Sequence, residues 1–204
     1  MIRIAIALVV GGAFLTFFGY NENKLASAAD TDPQTMTAAE LIANGPGDNA
    51  HIILEDFQVI AWETIVLTPE DNENKYEKVW APVITIDDPY IEEIQALPDT
   101  ALTTPPYREE IGLILYAKDI SSGAELERVA MSETVQGLVI NEIDKLSGDE
   151  LKELQKSLKI DPDKVIILEH NRKPKSGGLT MLMMAGGILL ILAGPGLFFL
   201  TRGK

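Results

Sequence analysis

The chain has 204 residues, 31 acidic side chains against 17 basic ones and no cysteine, for a net charge of −14. That charge repels phosphate and argues against a nucleic-acid partner. The missing cysteine excludes disulfides, thiolate nucleophiles and cysteine-ligated zinc or iron-sulfur centres.

At the amino terminus Met1 to Tyr20 carries one charge, Arg3, followed by an uncharged run. A helix of that run covers about 25 Å at 1.5 Å per residue, short but workable as a membrane span. Arg3 can snorkel to headgroups and Tyr20 suits the opposite interface. Ala26-Ser27-Ala28 also fits a signal-peptidase site, but the polar stretch before it is long for one, so residues 1–20 are expected to stay as a transmembrane helix. Residues 21–36 are polar, without periodicity, and read as a tether.

Residues 37–170 are expected to form the one soluble domain, a size that suits a single core. Thr37 to Glu40 and Ser122 to Glu125 are capping boxes that open short helices, and Ser147 to Glu150 is a third. Asp88-Pro89 places an N-cap before proline at the first helical position. Near-alternation of apolar residues over His51 to Leu67, with a break near Ala61, predicts two strands or one bulged strand. Tyr76 to Ile86 is a strand that Pro82 would confine to an edge or bulge. Ile111 to Asp119, Thr134 to Ile143 and Val165 to Glu169 are further strands, and Gly137 marks a bulge or the close approach of another backbone. The expected fold is α+β, a curved or barrel-like, mostly antiparallel sheet of about six strands with three or four short helices, flanked by an N-terminal and a C-terminal transmembrane helix.

Residues 171–178, NRKPKSGG, form a basic linker whose Arg172, Lys173 and Lys175 suit lipid headgroups. Residues 179–200 lack any ionisable group and span roughly 33 Å as a helix, enough for a bilayer core. A short basic tail, 201–204, follows. Small residues recur every seven positions at Ala5, Gly12 and Gly19 and again at Gly187 and Gly194, a spacing that lets two helix backbones approach in lipid.

Within the domain, chemistry-bearing motifs are sparse. His51 and His170 are the two histidines, no Gly-x-Ser-x-Gly elbow exists, and no catalytic constellation or cofactor site is expected. Asp71 and Glu73 in PEDNENK are weak metal candidates that lack calcium-loop spacing and read as a solvated turn. Trp62, Tyr76 and Trp80 are candidates for an interaction surface, because aromatic residues dominate interface hot spots. These features lead to a non-enzymatic integral membrane protein, in a bacterial cytoplasmic membrane with the acidic domain outside the cytoplasm. Its expected partners are lipid and a protein, or a second copy through the membrane helices. The alternatives are a subunit of a membrane enzyme or transporter with an acidic metal site, and an envelope sensor.

Overall fold

A computed structural model describes residues 2–72, 75–95, 111–140, 148–158 and 160–202. The chain divides into two compact units, residues 1–30 with 174–204, and residues 31–173.

The first unit is a helical hairpin. Helix α1 covers Ile2–Ser27 and α6 covers Gly177–Arg202, with Pro195 inside it. Both are long and apolar enough to cross a membrane. α1 is longer than the sequence suggests: residues 21–27, read as tether, continue the helix. That polar segment has partners at the start of α6 and just before it: Asn23 Oδ1 accepts from Thr180 Oγ1 at 2.9 Å, and Glu22 pairs with Lys175 of the preceding linker at 3.3 Å.

Among the described residues the second unit holds eight strands, four short α-helices and a 3-10 turn. In chain order these are β1 (Gln34–Thr37), α2 (Ala38–Asn44), β2 (His51–Glu55), β3 (Phe57–Val59), the 3-10 turn Ala61–Glu63, β4 (Ile65–Leu67), β5 (Lys78–Thr85), α3 (Pro89–Gln95), β6 (Leu113–Ala117), α4 (Gly123–Ala130), β7 (Val135–Val139), α5 (Gly148–Leu158) and β8 (Ile166–His170). The helices begin where their caps dictate. Thr37 and Glu40 close a reciprocal capping box on α2, and the Ser122 hydroxyl accepts from Glu125 N–H at the start of α4. The box expected from Ser147 lies outside the described residues.

The strands form one mixed sheet in the order β1-β2-β7-β8-β6-β5-β3, with β4 also on β5. β1 pairs parallel with β2 and β6 parallel with β8, while the other pairs are antiparallel. The sheet is mostly antiparallel, as expected, but it has more strands than the expected six or so, and the chain has more helical segments than expected. β1 was hidden because QTMT is a short, polar run. A helix connection to a parallel neighbour also leaves none of the turn signals that mark a hairpin.

The sheet curls into a nearly closed barrel, and one residue explains how. β2 and β3 lie toward opposite ends of the strand order, yet only Asp56 separates them. Asp56 takes a left-handed backbone, φ 50°, a conformation in which Asp is enriched. Its carbonyl still accepts from Ile86 N–H at 3.3 Å, so the chain turns from one end of the sheet to the other without losing that bond.

Of the two settings expected for Pro82, the edge strand does not hold, since β5 is interior and Pro82 pairs with Ile114 of β6, whereas the opposite strand does bulge there, with residues 60–64 facing Ala81 and Pro82. The Pro82 carbonyl faces that bulge and accepts from Ile60 N–H at 2.9 Å. Nitrogen and oxygen of one residue in an antiparallel strand share a side, so the N–H that proline lacks would have gone to the Ile60 carbonyl. That carbonyl is taken by Glu63 N–H of the 3-10 turn and by the Thr64 hydroxyl. No buried acceptor is orphaned, and proline costs the sheet nothing there.

Both sheet faces are covered. Ile52, Leu54, Val79, Val83, Leu113, Leu115 and Leu168 are buried on one face, and Ile84, Ile114 and Leu138 on the other. β5, β6 and β8 are buried along most of their length, which is why they read as apolar runs rather than alternating ones.

Candidate functional site

Three groups of side chains stand out, one in the hairpin and two on the sheet domain.

In the hairpin, the seven-residue spacing of small residues becomes a line of close backbone contact. A Cβ on Gly12 would lie 2.6 Å from the Gly187 carbonyl, one on Gly19 2.9 Å from Met184 N, and one on Gly194 2.8 Å from the Ala5 carbonyl. Each is shorter than a real Cβ contact, so these positions admit glycine without moving a backbone. The neighbouring glycines differ, since Gly11 and Gly196 face open space and Gly186 meets only the tip of Leu15. Ala5, Gly12, Gly19, Gly187 and Gly194 are all buried.

On the sheet, one line of cross-strand neighbours runs from His51 through Leu138, Glu169 and Tyr116 to Trp80. Every member is buried, and four of the five carry polar atoms. The Gln136 amide meets His51 Nε2 at 2.8 Å. Lys118 Nζ lies 3.1 Å from Glu169 Oε1 and 5.1 Å from the centre of the Tyr116 ring, which stacks on Trp80 at 5.6 Å. The Glu169 carboxylate, on a residue only 7% exposed, is also bound by the Arg172 guanidinium. Two cations thus offset the cost of burying this charge.

The end of β8 continues the cluster. Asp119 accepts from His170 Nδ1 at 2.9 Å and from the Asn171 amide at 2.8 Å, and Asn171 takes the left-handed conformation at φ 54°. Partial burial pushes the Asp119 carboxyl upward, but the hydrogen bonds from His170 and Asn171 and the charge of His170 outweigh it and hold the carboxyl below its ordinary range. Successive residues 170, 171 and 172 are therefore each fastened to the strand ends before the chain leaves the domain. The sequence offers no local signal for this cluster, because Lys118 and Glu169 are 51 residues apart and meet only through the parallel β6–β8 register.

The remaining candidates are dispersed. Trp62 is exposed at 56%, Trp80 is buried at 4%, and Tyr76 is half-buried with its N–H on the Ser121 carbonyl, so the three do not make one aromatic surface. The Trp80 indole N–H has no hydrogen-bond partner among the described residues. Arg172 is engaged by Glu169, whereas Lys173 is exposed and Lys175 reaches Glu22. Asp71 is exposed in its turn and Glu73 lies outside the described residues. Among the described residues no group of three metal-ligating side chains converges.

No protein-family model, curated protein or solved structure matches the chain.

Proposed function

We propose that this is a two-span integral membrane protein of a bacterial cytoplasmic membrane, holding a non-enzymatic α+β domain outside the cytoplasm as an interaction or assembly module. The observation that carries the reading is the fitted hairpin: two apolar helices in glycine-lined contact, clasped at one end by Asn23 with Thr180 and Glu22 with Lys175. A cleaved leader has no use for such a fit. The Ala26-Ser27-Ala28 motif supports retention too, since it sits at the end of a continuous helix beside Leu25, which is 1% exposed. An acidic domain stays soluble and off anionic lipid. Two histidines and no nucleophile motif leave interaction as the simplest task.

Cysteine scanning tests the topology, because the chain has none of its own. In intact cells a membrane-impermeant maleimide should label Glu70→Cys and leave Thr201→Cys unlabelled. The reverse pattern rejects the orientation, and a mature protein lacking residues 1–28 rejects retention. Photo-crosslinking from several domain positions in native membranes should capture a partner protein. Failure at every position rejects the interaction reading.

A further inference from the structure

Strand β5 has β6 along one side and two short strands end to end along the other, β4 on Lys78–Trp80 and β3 on Val83–Thr85. β4 therefore meets β5 on one side, and among the described residues it has no strand on its other side. The groups facing that open side follow from one bond. Glu77 N–H donates to the Leu67 carbonyl at 2.8 Å, so Leu67 turns its backbone toward β5. Backbone direction alternates along an antiparallel strand, so Val66 directs its N–H and C=O outward.

The side chains around this edge are unusual for an exposed strand. Val66 is 37% exposed, Leu67 43% and Trp62, just before the strand, 56%. Edge strands are normally blunted by short length, lysine, proline or an inward charge; β4 is short, at three residues, and Ile65-Val66-Leu67 contains none of the other devices. From Trp62 to Glu77 the chain carries five acids, Glu63, Glu70, Asp71, Glu73 and Glu77, against Lys75 alone. A second copy would bring acid against acid, whereas a basic segment would be attracted.

Resting on the interaction-module reading above, we infer that the β4 edge receives an extended, apolar and basic segment of a partner protein as an added strand. Val66 supplies the backbone hydrogen bonds, Trp62 and Leu67 the apolar contacts, and the flanking carboxylates the charge selection.

The test uses the full chain in zwitterionic nanodiscs and, as probe, an eight-residue peptide alternating lysine and valine. Trp62 reports binding directly, since Trp80, the other tryptophan, is buried. The peptide should shield Trp62 from acrylamide in a saturable way. Val66→Pro removes the outward N–H while sparing the β4–β5 ladder and should weaken binding about tenfold, the effect of one lost backbone bond, whereas Val66→Thr should keep it. A glutamate-valine peptide, and a lysine-valine peptide N-methylated at alternate amides, should each also bind about tenfold more weakly or worse. The methylated peptide makes the same test without altering the protein. Equal binding of the three peptides, equal binding by Val66→Pro, or shielding that grows with protein concentration alone overturns the inference, the last in favour of self-pairing. In native membranes a photo-crosslinker at Leu67 should capture the partner. Capture from other domain positions but not from Leu67 removes the edge site and leaves the interaction module standing.

Discussion

The hairpin and the sheet domain are both held by close backbone approach at glycine, but they distribute their specificity differently. In the hairpin, Gly11 and Gly12 are adjacent and chemically identical, yet one faces open space and the other a carbonyl of the partner helix. Lipid tails are as apolar as leucine, so only positions where the helices touch are constrained. In the domain the central strands β5, β6 and β8 are restrained by register on both sides and by burial on both faces, and Gly137 lies where the β8 backbone crosses closest. The apolar helix pair is thus specified at a few points, and the centre of the sheet along its length.

The sharpest way to break that comparison is at Gly137. A Cβ there would run into the Glu169 carbonyl, which is backbone and cannot step aside. Gly137→Val is expected to cost more than about 4 kcal/mol and leave the domain unfolded by circular dichroism while the hairpin still inserts. In the hairpin, Gly187→Leu should separate the helices without preventing insertion, and Gly11→Leu should do neither. Spin labels at Ile2 and Gly196 would show a broadened, longer distance in the first variant alone. Equal behaviour of the two would remove the idea that contact is concentrated at points.

Smaller effects sharpen the picture of the domain. Glu169→Ala leaves Arg172 without its buried partner and should lower stability by about 2–4 kcal/mol in a denaturant titration. Lys118→Met, at a side chain 53% exposed, should cost less than about 1 kcal/mol. Asp119 supplies a pH signature. Its folded carboxyl is held below its ordinary range, so its contribution is fully present above the unfolded value of about 3.9 and is lost as pH falls through the lower folded value. Asp119→Asn should flatten that acid limb. Smallest of all, Asp56→Gly should be neutral or stabilising by a few tenths of a kcal/mol, since glycine takes a positive φ without a Cβ penalty.

What could be read directly from the chain follows the same division. Apolar length announces both helices, and a seven-residue spacing picks out Gly12, Gly19, Gly187 and Gly194, because in a helix neighbours in space are neighbours in sequence. The caps at Thr37 and Ser122 are legible for that reason too. The sheet hides more. Pro82 signals an edge strand or a bulge, and only the 3-10 turn that occupies the Ile60 carbonyl makes its interior position tolerable. Tyr76, Trp62 and Trp80 look alike as aromatic residues, and the fold buries one, half-buries another and exposes the third. The Lys118, Glu169 and Arg172 cluster depends on a parallel register that no local pattern encodes.

The turn at Asp56 has a kinetic consequence. β4, β5 and β6 can pair with near neighbours as soon as they exist, and so can β1 with β2, but the other edge of β2 must wait for β7, and His51 meets Gln136 across 85 residues of chain. Pairings this remote make folding slow, in the range of milliseconds to seconds, because loop-closure entropy is lost before any contact forms. During synthesis the β1–β2 pair keeps one edge of β2 open while the rest of the domain is made, at about 5–20 residues per second. The barrel therefore closes last at the end of the sheet that was made first, when β7 reaches the open edge of β2.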